Sequence, residues 1–368
     1  MTLTTTALGV SPAPTAAALY EGADRVIGQR DAKEAIAVLL ERQTRVARGE
    51  LPRSSGALCA GRTGTGKTMT IRIMAEKCGL PFAECNATQY TDKGYVGPDL
   101  SQIFLPLIEA AIMMEEEDLE AKYGKEIYNL IQSDDPTNIL KIDRRILDPA
   151  IEKAQSGVVL LDEFDKWMQQ ASDALGRNPG KALQGELLKM IEGGHTYVTD
   201  DEDEIGLAFD TTKVLIICAG AFVGLEKIIG KRLQRDMTTQ PEAWDQSEPA
   251  DFVRYGLLPE LAGRLPHHIM FKPLRPDHLA VILMEEGGLL DEYVGRFQAC
   301  GVKLVYSEEG LRTLADKALQ RGTGARGLEH VFSRKFSKAL YQASKKGSGK
   351  VVLDVPRAMS EDPVLLQP

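Results

Sequence analysis

The segment Gly61-Arg62-Thr63-Gly64-Thr65-Gly66-Lys67-Thr68 constrains this chain more than any other, because it has the spacing G-x-x-x-x-G-K-[ST] between two unlike flanks. Before it stands a short apolar run, Ala57-Leu58-Cys59-Ala60, and after it Met69-Thr70-Ile71-Arg72-Ile73-Met74-Ala75 reads as a helix. Strand, glycine-rich loop and helix in that order aim backbone N–H groups and the positive end of a helix dipole at one point, which suits phosphate. Lys67 is placed to reach the β- and γ-phosphates of a nucleoside triphosphate, and the Thr68 hydroxyl to ligate Mg²⁺. A loop of this kind requires an α/β domain whose sheet delivers it at the carboxyl end of a strand.

At 368 residues the chain has room for one large domain and a smaller one. Net charge is −9 and the isoelectric point is near 5.3, which argues against a general nucleic-acid surface. The cysteines (Cys59, Cys78, Cys85, Cys218, Cys300) form no C-x-x-C pair, so neither a zinc module nor a disulfide framework is expected, and a reducing, cytoplasmic setting fits. No stretch of apolar residues is long enough to predict a membrane span. Residues 1–20 are rich in Thr, Ala, Ser and Pro and hold no Lys or Arg, so they read as a disordered tail rather than a secretory signal.

Beyond the tail, a large domain is expected over residues 21–272. The run from Asp31 to Leu40 has helical apolar spacing with Asp31 as its N-cap. Continuous apolar runs at Gly157–Leu161 and Val214–Cys218, set between helical segments, suit a parallel sheet buried on both faces. Pro273 and Pro276 bracket a boundary at Lys272–Asp277. A smaller, mostly helical domain is expected over 273–357, with helices at Leu279–Phe297 and Ser307–Gln320, β runs at Val302–Tyr306 and Lys350–Val355, and a tail at 358–368. Residues of about 112–146, including the acidic run Glu115–Glu120, read as an inserted, surface-exposed helical segment.

Val158-Val159-Leu160-Leu161-Asp162-Glu163 is an apolar strand ending in two carboxylates. Ligands of open α/β sheets sit at strand carboxyl ends, so both acids are expected to face the phosphate loop. Asp162 is assigned to Mg²⁺ and Glu163 to polarising the attacking water as general base. Together these motifs point to an ATPase. Arg264, in the proline-stopped segment Leu258–Pro266, and Arg326, at a predicted helix start, would each read alone as a surface or capping residue. Phosphoryl transfer gives them another use, since an arginine finger contributes about 10³–10⁵ in rate.

Several segments in order carry a resemblance: Val26-Ile27-Gly28-Gln29, the phosphate loop, Gly94-Tyr95-Val96-Gly97, Leu161-Asp162-Glu163-Phe164-Asp165-Lys166, Leu188–Gly193, Cys218–Phe222, Pro259–Pro266 and Thr323–Leu328. From about residue 24 to about 357 the chain resembles the ClpX-type AAA+ protein unfoldases of the Clp/HslU clade. The resemblance implies a AAA+ P-loop NTPase domain, a parallel sheet flanked by helices, followed by a small helical lid. It implies ATP and Mg²⁺ as cofactors, with residues 61–68 on the phosphates and Ile27 lining the adenine pocket. Arg264 becomes the finger that reaches a neighbouring subunit's ATP, and Arg326 the sensor of nucleotide state. A homo-oligomeric ring, a hexamer, is implied, with protein substrates gripped by Tyr95 and Val96 in the pore. An aromatic and a branched residue between glycines suit a mobile apolar paddle.

Departures from the pattern sharpen the reading. No N-terminal zinc module is expected. No Ile-Gly-Phe sequence occurs between Ile228 and Ala250, the nearest being Ile229-Gly230-Lys231, which argues against docking a ClpP-like peptidase. Where ClpX has a basic pore-entrance loop, this chain has Asp200-Asp201-Glu202-Asp203-Glu204, which would repel a substrate carboxylate. Ala219 stands where many AAA+ proteins have a polar sensor residue, as is also true of ClpX. The expected function is an ATP-dependent unfoldase or remodelling ring. A regulatory subunit of a Clp-type protease, a nucleic-acid motor and a nucleotide-gated scaffold are the alternatives; neither membrane nor nucleic-acid partners are expected.

Overall fold

Continuous apolar runs become the middle of a sheet covered on both faces. The computed structural model describes residues 13–91, 98–114, 122–172, 178–199, 206–235, 244, 246–320, 324–346, 349–353 and 365–366. Its strands are β1 (Ala57–Ala60), β2 (Phe82–Asn86), β3 (Val158–Asp162), β4 (His195–Thr199), β5 (Gly206–Asp210), β6 (Leu215–Gly220), β7 (His267–Met270), β8 (Val302–Tyr306), β9 (Gly349–Leu353) and β10 (Leu365–Leu366). The N-terminal helices are α1 (Ala16–Glu21), α2 (Arg30–Ala47), α3 (Lys67–Lys77), α4 (Leu105–Met113), α5 (Lys125–Ile131), α6 (Arg144–Ala154) and α7 (Pro179–Glu192). They are followed by α8 (Leu225–Leu233), α9 (Pro249–Tyr255), α10 (Pro259–Arg264), α11 (Pro276–Leu283), α12 (Leu289–Ala299), α13 (Glu308–Gln320) and α14 (Arg326–Lys346).

The main sheet runs β2-β3-β6-β1-β7, and its paired strands are parallel. Alternate side chains serve opposite cores. Leu58, Val159, Leu161, Ile216 and Cys218 pack with α4 and α6 on one face. Ala57, Cys59, Val158, Leu160, Leu215 and Ile217 pack with α2 and α3 on the other. Because β1, β3 and β6 are apolar on both sides, no period-two pattern survives in their sequences. The register places Asn86 beside Asp162, Leu161 beside Cys218 and Ala60 beside Gly220, so the ends of β1, β2, β3 and β6 share one edge.

A second core forms around Tyr293, Phe297, Phe332 and Phe336, whose rings stack edge-on or tilted at 5.4–5.7 Å, beneath the β10-β9-β8 sheet. The single helix expected over Leu279–Phe297 is instead two, α11 and α12, because Gly287 takes a left-handed φ of 72° that ends the turn. The antiparallel β4–β5 hairpin is held to the main body by Phe209 stacked on Phe104 at 4.6 Å, and by the Gln102 amide donating to the Thr199 carbonyl at 3.1 Å. Residues 92–97 and 200–205, which include Tyr95, Val96 and the Asp200–Glu204 run, lie outside the described residues.

Two local readings need correction. The expected surface-exposed insertion near 112–146 in fact sends Ile131, Ile139, Leu140 and Ile142 into the main core; charge in that stretch hides an apolar side. Asp31 does not cap α2, which starts at Arg30 after Gln29 in a left-handed conformation (φ 56°). Gln29 is held elsewhere: its amide donates to the Lys272 carbonyl at 2.8 Å and accepts the Lys272 N–H at 3.0 Å. Asp31 instead pairs with the Lys272 ammonium at 2.6 Å.

Gln29 thus behaves as an added strand edge for residue 272, where the chain passes toward the second core. Gln29→Ala removes the side-chain amide that bonds both Lys272 backbone groups and is expected to cost about 1–3 kcal/mol. A lowered urea midpoint at unchanged slope is the measurement that checks it.

Candidate nucleotide site

The phosphate loop takes its shape from two left-handed glycines, Gly64 (φ 77°) and Gly66 (φ 92°). Gly66 precedes α3 without any side-chain cap, so the first N–H groups of that helix point into the loop. Gly61 is wedged against the residue that follows β7: a Cβ there would lie 2.6 Å from that of Phe271. Lys67 is buried, its ammonium donating to the Gly61 carbonyl at 2.6 Å and the Arg62 carbonyl at 3.3 Å. Burial pulls it below the ordinary lysine range, with Asp162 as the main opposing charge. The Thr65 hydroxyl donates to the Arg62 carbonyl at 2.8 Å and closes the turn.

The end of β3 lies directly opposite. The Thr68 hydroxyl donates to Asp162 Oδ2 at 3.2 Å, and the Glu163 N–H donates to Asp162 Oδ1 at 2.8 Å. Glu163 is left-handed (φ 57°), a conformation that costs a non-glycine residue about 1–3 kcal/mol and survives where its surroundings fix it. Asp165 follows, buried, accepting the N–H groups of Ala221 and Phe222 at 3.2 Å each. Burial pushes its carboxyl above the usual range, opposed by the Lys166 charge and by those two donors.

These groups line a cleft of about 600 Å³, of the size that takes a nucleotide-sized ligand. Thr63 to Thr68, Asp162 and Glu163 line it together. Arg25, Val26 and Ile27 line it too, with the buried Lys33 ammonium donating to the Val26 carbonyl at 3.1 Å to fix that segment. Leu274, Ile282, Ala325 and Arg326 contribute from the C-terminal part. Gly61 and Arg62 are not in the lining; they serve through the carbonyls that hold Lys67. Arg264 is also absent from the lining. It pairs with Glu192, at the end of α7, at 2.9 Å, and both side chains are about half exposed. A hydroxyl and a carboxylate in contact, Thr68 and Asp162, are the hard oxygen donors a magnesium ion takes alongside water and phosphate.

Sequence reasoning overlooked several members of this cleft. Arg72, ion-paired with Glu84, lies one helical turn beyond Thr68, and that i,i+4 spacing was the available signal. Leu274 and Ile282 come from across the Lys272–Asp277 boundary, and nothing in their sequence marks them. One cross-boundary contact is backbone to backbone. The Ala325 N–H donates to the Gly64 carbonyl at 3.2 Å, and a Cβ on Gly324 (φ 56°) would lie 2.7 Å from the Thr63 oxygen and 2.8 Å from that of Gly64.

A parallel sheet that delivers a glycine-rich phosphate loop and a pair of carboxylates to one edge, under a helical body that contributes an arginine, is the build of an AAA-type nucleotide hydrolase. A family profile described as "AAA domain (Cdc48 subfamily)" matches residues 53–268, and one described as "C-terminal, D2-small domain, of ClpB protein" matches residues 274–352. The chain is similar to the "ATP-dependent Clp protease ATP-binding subunit ClpX" of Treponema denticola, at 29% identity over 93% of this chain and 80% of that protein. It is also similar to the "ATP-dependent Clp protease ATP-binding subunit ClpX 2" of Wolinella succinogenes, at 31% identity over 87% of this chain and 75% of the relative. With the ClpX of Borrelia duttonii it shares 30% identity over 89% and 74% of the two chains. The chain belongs to the ClpX family of AAA+ ATPases: it binds nucleotide and hydrolyses ATP.

Because Gly324 touches the loop through backbone atoms, even one methyl there must separate the two bodies. Gly324→Ala is expected to weaken binding of a fluorescent ADP analogue by about tenfold, or 1.4 kcal/mol. Anisotropy titration checks it, and an unchanged Kd would remove the contact from the binding site.

Proposed function

We propose that this ATPase forms a ring that unfolds or remodels proteins, drawing polypeptide through its pore as ATP is hydrolysed. The observation that carries the reading is the division of the two arginines. Arg326 lines the cleft of its own chain, whereas Arg264 stands outside it on an exposed pair with Glu192. An arginine finger held outside its own cleft is useful only to a neighbour, which supports hydrolysis shared between copies and a homo-oligomeric ring, with a hexamer as the proposed count. An exposed ion pair is worth about 0–1 kcal/mol, so Arg264 can exchange Glu192 for phosphate at little cost.

Within the cleft the proposed roles follow from chemistry. Lys67 and the backbone of residues 63–68 hold the phosphates, with the Gly61 and Arg62 carbonyls steadying Lys67; Ile27 packs on the adenine. Thr68 and Asp162 would hold Mg²⁺, which when bound neutralises charge on the β- and γ-phosphate oxygens. Glu163 takes the proton of the attacking water, and Arg326 stabilises the developing charge from the C-terminal body.

Tyr95 and Val96 are proposed to grip substrate, with Asp200–Glu204 biasing selection toward basic or N-terminal segments. Support comes from the described flanks, since Gln102 and Phe104 bind the hairpin at Thr199 and Phe209 and so bring the roots of both segments together. A cytoplasmic setting and residues 21–272 and 273–357 as the two domains complete the proposal. Among the described residues no helix is long and apolar enough to cross a membrane.

The names of the relatives favour a second reading, the ATP-binding subunit of a Clp-type protease. Against it, Ile229 and Gly230, the nearest approach to an Ile-Gly-Phe docking sequence, are buried within α8. Co-purification with a peptidase would decide for this reading.

Glu163→Gln should retain ATP binding, lose about 10²–10⁴ in kcat and hold engaged polypeptide; mass spectrometry of the captured material identifies the cargo. Wild-type turnover in this variant would exclude Glu163 as the base. Arg264→Ala should lose about 10³–10⁵ in kcat by itself. Mixed with Glu163→Gln it should regain part of the ATPase, because each variant supplies what the other lacks. A mixture as inactive as its parents would show that Arg264 does not act in trans.

A further inference from the structure

We infer that Asp165 is a positioning residue of the hydrolytic site, tying the turn that carries Glu163 to the exit of β6 and so fixing where Glu163 stands. The inference rests on Glu163 as the general base and assigns a role to a residue that the phosphate-loop and carboxylate motifs leave unused.

Asp165 lines the nucleotide cleft yet is only 1% exposed. A carboxylate taken so far out of water must be met by donors. Asp165 meets them outside its own turn: Oδ1 accepts from the Ala221 N–H and Oδ2 from the Phe222 N–H, both just past β6. The side chain therefore bridges two strand exits of the sheet.

Backbone conformation gives the bridge its purpose. Among the described residues only four other than glycine have positive φ: Gln29, Glu163, Phe222 and Gln234. Two of them flank this carboxylate. Glu163 (φ 57°) is two residues before it in the same turn, and Phe222 (φ 46°) is bonded to it directly. Strained residues of this kind persist where neighbouring contacts over-determine them. Asp165 supplies such a contact to Phe222 and, through its short turn, to Glu163. The Lys166 N–H closes that turn on the Glu163 carbonyl at 3.0 Å.

The exit of β6 is shaped around the same group. A Cβ on Gly220 would lie 2.4 Å from Asp165 Oδ1, so a side chain at 220 and the seated carboxylate exclude each other. Cys218, Ala219 and Ala221 carry no hydroxyl or amide, so the end of β6 offers the cleft backbone groups only. Their place is set by Asp165.

The test uses the full chain and steady-state ATPase kinetics with Asp165→Asn, Gly220→Ala and the double variant. Asn replaces one acceptor with an amide NH₂, which donates and cannot receive an N–H, and the Gly220 methyl displaces an unchanged carboxylate from the other side. Each single variant should lower kcat by about tenfold to a hundredfold, with KM for ATP and the Kd of a fluorescent ADP analogue within about twofold, since neither change removes a phosphate-loop residue and the Gly220 carbonyl still accepts the Gly61 N–H. The double variant should be no worse than the weaker single, because both changes break one linkage. A purely structural role predicts lowered melting temperature with kcat intact in the folded protein, and that result overturns the inference, as do additive losses in the double variant. Glu163→Gln is measured alongside. If it turns over normally, the reading of Glu163 fails; if it is inactive while Asp165→Asn and Gly220→Ala keep wild-type kcat, only the present inference fails. Should Asp165→Asn not fold by circular dichroism, Gly220→Ala alone decides, because it retains the carboxylate.

Discussion

At the carbonyl oxygen of Gly64 the two bodies of this molecule meet backbone to backbone. It belongs to the phosphate loop, and it accepts the N–H of Ala325, one residue before the helix that begins with Arg326. Much else is arranged so that this contact can exist. Gly64 must be left-handed to turn its carbonyl outward, and Gly324 must lack a side chain to let the second backbone approach. Arg326 is then carried to the cleft by main-chain geometry rather than by the reach of a long side chain, which makes its placement sensitive to the angle between the bodies.

The large body holds its side of the bargain through layers. Five parallel strands, the inner three covered on both faces, fix the edge at which β1, β3 and β6 end, and the register sets Ala60, Asp162 and Gly220 within one row of the sheet. Chemistry at that edge is crowded into backbone turns, where Gly66, Glu163 and Phe222 all have positive φ. A rigid sheet is what allows such turns to persist, since their strain has nowhere to relax. Gln29 extends the same logic to the side of the cleft lined by Arg25 to Ile27, using a side-chain amide to imitate a strand pairing with Lys272.

The sequence made some of this legible and hid the rest for identifiable reasons. That Lys67, Thr68, Asp162 and Glu163 would meet could be read because their motifs have local spacing, and the structure gathers them in one cleft. The buried strands were readable from apolar continuity alone. Gln29 and Lys272 are 243 residues apart, and a glutamine after a glycine gives no sign that it grips a distant backbone. The contact of Gly324 with Gly64 is equally silent, because any glycine-rich stretch has the same appearance. The segment near 112–146 misled in another way: its acidic run dominated the composition, while Ile131, Ile139 and Leu140 were filling the core.

The stacked rings of Phe104 and Phe209, with the Gln102 bond to Thr199, join the chain that emerges after residue 97 to the base of the β4–β5 hairpin. In mechanical terms the joint is a shared bearing. A tension applied to either strand of chain is divided between both before it reaches the sheet, so neither root has to resist the full load through its own hydrogen bonds.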